Sequence, residues 1–460
     1  MSVARRVDTG ALECGRGTVP PGWSMGLLLD CAYLIACVLV SPWLLYRLTL
    51  APGRQDFAMR FGIGLPERRD QSIWLHGSSV GEVTLLKPLI ALLEQGDPQT
   101  PLVISAFTST GLTAARKLYP RHTVVPLPFD LSFVVRRCLA RFSPRLVVIV
   151  ESELWPNFIR VARRRGASVA VVNGKMSAKS HRAHARRRLI PRVLENLDLV
   201  AVQTDEHADR FRSLGVPADR IRVTGNMKYD LTRAPADVDR RAELRRALAY
   251  ADDDVVIIGG SLHEREDEVL LDAFAMARAA NERAALIIVP RYPADAAAVE
   301  QQAAARGSRS VRKSALDAGR AKAPGRDGVL VVDTIGELGR LYAASDVAFV
   351  GGSLFYRGAN KGGHNLMEPA ILGVPVLFGP FNFSFKETVD DLLAANAGRM
   401  VHDARELGDA LAGLVVDVAA RRDLGLRAQR VARAGQGATA RNYELLRALA
   451  PRPALAGPSL

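Results

Sequence analysis

The sequence predicts an α/β protein with two doubly wound, Rossmann-like domains facing a cleft. Three observations carry that prediction. Short apolar runs alternate with longer amphipathic stretches, the signature of βαβ units and parallel sheets. The pattern runs twice, broken by a polar, charged stretch at 231–252. The apolar runs end in Gly, Ser, His, Glu or Arg, where doubly wound sheets place their ligands. Length agrees: 460 residues allow two or three domains. Apolar residues are 48% and charged residues 24%, which excludes wholesale disorder. The 38 Gly and 25 Pro show no period, so the chain is neither collagen-like nor low-complexity.

The elements follow in order. Residues 1–24 are a leader without clear pattern, and Met25 is an alternative start. Residues 25–46 (MGLLLDCAYLIACVLVSPWLLY) are apolar except for Asp30. About 20 residues of helix span a bilayer, so this segment is expected to be a membrane anchor. A signal peptide and a buried core helix are the competing readings, and Pro42 leaves a kinked insertion beside a straight span. Arg47, Arg54, Arg60, Arg68 and Arg69 follow it. The positive-inside tendency then keeps the globular part in the cytoplasm.

Residues 47–232 form the first predicted domain, with strands at 72–76, 102–107, 123–126, 146–150, 168–172, 199–203 and 221–224 and a helix over Val83–Glu94. Residues 233–252 are the expected linker with a surface helix. Residues 253–425 form the second domain, with strands at 255–259, 285–289, 328–332, 347–350, 374–378 and 398–401. The stretch 310–327 is expected to be an exposed excursion. Residues 426–460 supply a C-terminal helix and a loose tail.

Charge narrows the partners. Lys and Arg exceed Asp and Glu by 62 to 48, a net +14, which favours an anionic partner. Clusters at Arg160, Arg163, Arg164, Arg165 and at His181–Arg188 suit an anionic lipid surface, where each basic residue is worth about 1 kcal/mol; a solvated face is the plain alternative. Nucleic acid is disfavoured, because aromatics are only 6% and no nucleic-acid-binding motif is present. Cys14, Cys31, Cys37 and Cys138 have neither CxxC nor metal spacing.

Candidate chemistry sits at strand ends. After the first strand, His76-Gly77-Ser78-Ser79-Val80-Gly81-Glu82 is a small-residue turn entering a helix. Glu82 is either a base facing a ligand or a first-turn acid favoured by the helix dipole. The dipole lowers a carboxylate pKa, so a base here needs partial desolvation. Glu151 and Glu153 follow LVVIV at a strand end, and at most one of them is expected to meet a ligand. No His stands at metal spacing beside them, so no metal is expected. Lys228 in TGNMKYD either reaches a phosphate or is a solvated lysine. In the second half, Pro290-Arg291, Asp333-Thr334-Ile335-Gly336-Glu337, Gly351-Gly352-Ser353 and Gly362-Gly363-His364-Asn365-Leu366-Met367-Glu368 make a natural anion site. Neither GxxxxGK[ST] nor a GxGxxG after the first strand is present, which disfavours P-loop and dinucleotide enzymes.

The ordered set HGSSVGE, ESELWPN, VNGKMSAKS, TGNMKYD, GGSLHE, VPRYP, DTIGELGRLY, FVGGS and GGHNLMEPA resembles that of the 3-deoxy-D-manno-octulosonic acid (Kdo) transferases, membrane-associated glycosyltransferases of the GT-B type. The likeness runs from about residue 60 to about 425. It implies transfer of Kdo from CMP-Kdo to the 6′-hydroxyl of a lipid A precursor (lipid IVA), with inversion and without cofactor or metal, in lipopolysaccharide biosynthesis at the cell inner membrane. Carried over by motif, Glu82 matches the general base. Glu151 and Lys228 match transition-state stabilisers. Pro290, Arg291, Ile335, Gly336, Glu337, Asn365, Leu366, Met367 and Glu368 match the CMP-binding segments. Two departures stand out: Gly174-Lys175 where the family has Ala-Arg, and the long link Leu354–Lys361. Another GT-B nucleotide-sugar transferase or epimerase, and a non-catalytic nucleotide-binding module at the membrane, are the alternatives.

Overall fold

A computed structural model describes residues 30, 50, 53–186, 189–232, 241–263, 265–358 and 362–449. The leader 1–24, the candidate anchor 25–46 apart from Asp30, and the tail from 450 lie outside them. Among the described residues, no helix is long and apolar enough to cross a membrane. The chain divides into two compact units. The first runs to Thr224 and takes up the chain again at Asn442; the second is Gly225–Arg441.

In the first unit, strands β1 (Ile73–His76), β2 (Leu102–Ala106), β3 (Thr123–Pro126), β4 (Leu146–Val150), β5 (Ser168–Gly174), β6 (Leu199–Val202) and β7 (Ile221–Val223) form one sheet in the order β3-β2-β1-β4-β5-β6-β7. Every pairing is parallel. The strands are buried on both faces, as in SIWLH and LVVIV, because helices cover each side. Trp74, Phe142 and Phe158 pack edge to face in its core. The buried Asp130 caps helix Pro156–Arg164 by accepting from the N–H groups of Asn157 (3.0 Å) and Phe158 (2.7 Å). Asp30, the one charge in the apolar segment, accepts from Ser132 N (2.8 Å) and Asn157 Nδ2 (3.3 Å).

The second unit holds β8 (Val255–Leu262), β9 (Ala284–Pro290), β10 (Arg309–Arg312), β11 (Gly328–Val331), β12 (Val347–Val350), β13 (Val376–Phe378) and β14 (Arg399–Met400), in the order β10-β11-β9-β8-β12-β13-β14. This sheet too is parallel throughout.

Three expectations change. The stretch 310–327 opens with edge strand β10, and Lys313 is only 8% exposed. Its single inward apolar residue, Val311, is too short a pattern to announce a strand. Second, the helix expected in the polar stretch forms at Arg241–Ala247, but it is not wholly on the surface: it buries Arg245, which bonds Asp346 Oδ2 (2.9 Å) and the carbonyls of Ala251 and Asp254. Its charge signalled a buried network rather than solvent. Third, Lys228 falls in the second unit, on the 3₁₀ turn Met227–Leu231.

Candidate active site

The first strand of each sheet lies between its second strand and a later one: β1 between β2 and β4, and β8 between β9 and β12. The strand order therefore reverses between β1 and β4, and between β8 and β12. Such switch points open a crevice beyond the strand ends.

At the β1–β4 switch, Ser79 caps helix Val80–Gly96. Ser78 N donates to Glu82 Oε2 (2.7 Å), and Ser79 Oγ donates to Oε1 (2.9 Å). Glu82 N donates back to Ser79 Oγ (3.5 Å), so cap and acid hold each other in a variant of the capping box in which the N–H of Ser78, one residue before the cap, reaches the carboxylate. Gly77 is required beside it: a Cβ would lie 2.9 Å from the backbone of Glu82. Glu82 stays partly accessible. Burial outweighs both hydrogen bonds, and with the charges of Glu151 and Glu153 it raises the Glu82 pKa. A plain dipole-stabilised acid would show the opposite direction.

Glu151 and Glu153 both bear on Glu82, so the expectation that at most one of them matters changes. Glu151 sits at φ 63°, so the chain turns directly after β4, and both acids act electrostatically on Glu82. Glu153 is itself raised by burial and by the charge of Glu151, against the polar neighbours Trp155 and Ser78. Glu151 pairs with Lys175 Nζ at 2.9 Å. Lys175 thus does the work of a cation at the position where the motif departs from the family pattern. Sequence reasoning left Glu153 as an alternative to Glu151 and gave Lys175 no role, because the Glu151–Lys175 pair joins two strand ends far apart along the chain.

The second unit gathers the other residues. Lys228 Nζ reaches the Ser384 carbonyl (3.4 Å) and lies 5.8 Å from the Phe385 ring. Pro290 ends β9, and Arg291, exposed, lies over Tyr292 (5.4 Å). Ile335 is 88% exposed, and Gly336 takes φ 94° in the turn before helix Leu338–Ala344. Glu337 accepts from the Thr334 hydroxyl and pairs with Lys313 Nζ at 3.0 Å. Lys313 was invisible in the sequence because it lay in the supposed excursion. Asn365 Nδ2 donates to Thr232 Oγ1 (2.9 Å) and Glu368 Oε1 (3.3 Å). Burial raises the Glu368 pKa against that Asn365 bond. Leu366 and Met367 are in the core, so only their backbone can meet a ligand.

The basic clusters are partly committed. Arg163 pairs with Asp198 (2.9 Å), and Arg160 donates to Asn157 Oδ1 (2.7 Å). Arg164 and Arg165 are exposed.

Two parallel doubly wound units with polar groups at their switch points define a two-domain enzyme of the GT-B class. The crystal structure of UDP-GlcNAc 2-epimerase from Neisseria meningitidis bound to UDP-GlcNAc shares that fold: TM-score 0.53, 14% identity, covering 82% of this chain and 100% of that one. The family "3-Deoxy-D-manno-octulosonic-acid transferase (kdotransferase)" matches residues 55–231. The 3-deoxy-D-manno-octulosonic acid transferase of Bordetella pertussis is 34% identical over 84% of this chain and 89% of its own length. That of Haemophilus influenzae is 30% identical over 92% and 96%. The chain belongs to the Kdo transferase family of glycosyltransferases.

Proposed function

We propose that this protein transfers Kdo from CMP-Kdo to the 6′-hydroxyl of a lipid A precursor, lipid IVA, with inversion, at the cytoplasmic face of the inner membrane. Family membership supports the transferred sugar. The acceptor, the stereochemistry and the location are readings of our own, drawn from the motif resemblance, the apolar segment 25–46 and the basic excess of this chain.

The observation that carries the reading is Glu82. Its carboxylate is fixed by two hydrogen bonds, partly desolvated and raised in pKa. Those are the attributes of a general base poised for a hydroxyl. In the step, Glu82 takes the acceptor O–H proton. The freed oxygen bonds to the anomeric carbon, and the bond from that carbon to the phosphate oxygen breaks with its electron pair leaving on CMP. Attack opposite the leaving phosphate inverts the centre. Positioned proton abstraction contributes ~10²–10⁴-fold, and electrostatic support to the departing phosphate supplies much of the remainder. Lys228 and Arg291 are the cations we assign to that support, with the turn at 335–337 and Asn365 to Glu368 around the nucleotide. No cofactor or metal enters the scheme.

The test is turnover by purified enzyme. CMP-Kdo generated in situ and a tetraacylated lipid A precursor are supplied, and products are weighed by mass spectrometry. The expected outcome is addition of Kdo to the lipid. Lack of any Kdo adduct, or turnover of a UDP-sugar instead, defeats the assignment and favours the epimerase-like alternative.

A further inference from the structure

At the β8–β12 switch the second unit builds a feature that no motif assignment uses. The imidazoles of His263, just after β8, and His364, in the loop after β12, stack in parallel. Their centroids are 5.1 Å apart at 10°, and Nε2 meets Nε2 at 2.9 Å. The pair is constructed rather than incidental. Glu266, 1% exposed, accepts four backbone N–H groups, from His263 (2.9 Å), Gly352 (2.6 Å), Ser353 (2.9 Å) and Leu354 (2.9 Å). One carboxylate thereby ties the two loops together. Gly352 holds φ 70°, and a Cβ there would lie 2.8 Å from the His364 ring and 3.1 Å from that of His263. Only glycine leaves room for both rings.

The surroundings are cationic. Burial and the positive charges of Arg357 and Arg291 push His263 down to about 4. Burial, His263, Arg291 and Arg357 do the same to His364. Among the described residues, neither guanidinium has a carboxylate at ion-pair distance. His263 and Arg357 line a cavity of about 580 Å³ with Pro290 and Tyr292; Asp267, Glu268 and Asp295 are also on its wall. Tyr292 stands edge-on to His263 at 6.0 Å.

Two neutral imidazoles at this distance share one proton between their Nε2 atoms. The other proton of the neutral pair sits on one Nδ1; an oxyanion beside them would draw one further proton onto the second Nδ1, so that each ring has an Nδ1–H to donate. We propose that His263 and His364, together with Arg357, seat the carboxylate of the sugar acid carried by the donor. This deepens the Kdo-transfer reading and rests on it. An octulosonic acid bears its carboxylate on the anomeric carbon itself. The activated donor therefore presents two anions on one atom, the phosphate and the carboxylate, and this unit offers two separate cations, Arg291 and Arg357. A seat for the second anion orients the reacting carbon and discriminates against neutral nucleotide sugars.

The test measures KM for CMP-Kdo and the inhibition constant of CMP in wild type, His263→Gln, His364→Gln and Arg357→Gln. The expected result is a KM for CMP-Kdo raised about tenfold or more, the cost of one charge-assisted hydrogen bond, with CMP inhibition within about twofold of wild type. Parallel loss of CMP affinity in the three variants would assign the cluster to the nucleotide phosphate and overturn the proposal. Unchanged KM in all three would overturn it too. CMP binding reports that each variant is folded; if the buried histidine variants lose it, Arg357→Gln at the exposed position decides. Should the wild type turn over no CMP-Kdo, the transfer reading fails. Saturation-transfer NMR of the full protein with free Kdo then tests the seat alone: binding abolished by Arg357→Gln sustains it, and lack of binding removes it.

Discussion

The same carboxylate position exists twice in this molecule and has two fates. Glu82 and Glu266 each open the helix after the first strand of a doubly wound sheet, beside the point where strand order reverses. Glu82 accepts one backbone N–H and one hydroxyl and stays partly exposed. Glu266 accepts four backbone N–H groups and is sealed from water. A carboxylate saturated by backbone donors is a staple. One with spare lone pairs, partial burial and acidic neighbours is able to take a proton. The number of donors, rather than residue type or helix position, separates chemistry from architecture.

The largest test of that contrast is a pair of matched substitutions. Glu82→Gln should lower kcat by ~10²–10⁴-fold while the urea midpoint moves little, since the amide still accepts from Ser78 N. Unimpaired transfer by the folded variant would remove Glu82 from the reaction. Glu266→Ala should do the reverse in kind, costing roughly 2–4 kcal/mol of stability by orphaning buried N–H groups. Chemical denaturation measures it, and a loss under about 1 kcal/mol would show that the four bonds are replaceable.

A smaller effect separates a cap from a staple. Asp130 serves two N–H groups of one helix start rather than two loops. Asp130→Ala should cost about 1–2 kcal/mol, less than Glu266→Ala by the same measurement; equal losses would blur the distinction. The subtlest prediction concerns pH. A base works only when ionised, so a raised Glu82 pKa places the acid limb of kcat/KM above the ordinary glutamate range. Glu153→Gln removes a neighbouring negative charge that raises this pKa, so the limb should move to lower pH. Ser79→Ala removes a hydrogen bond that lowers it, so the limb should move to higher pH. A limb that stays put in both variants would detach Glu82 from the titration.

Much of this was legible in one dimension. Runs such as LVVIV and VVII are apolar without alternation, which only a strand covered on both faces tolerates, so the parallel sheets announced themselves. The turn HGSSVGE declared a helix start with Ser and Glu at capping-box spacing. β10 stayed hidden because an edge strand with one inward residue has no period to detect. The helix at Arg241–Ala247 was expected in the polar stretch, but not the burial of Arg245, because composition cannot distinguish an arginine in water from one bonded to Asp346 and three carbonyls.

By itself, then, the sequence determined the repeating βαβ pattern, the polar strand ends and the kinship with Kdo transferases, since local periodicity and motif order are properties of the chain alone. Only the tertiary structure decided that the charges of Glu151 and Glu153 both act on Glu82, that Lys313 partners Glu337, and that His263 meets His364 across 101 residues. Those facts depend on backbone turns and on which strands become neighbours, and electrostatic coupling follows distance in space rather than separation along the chain.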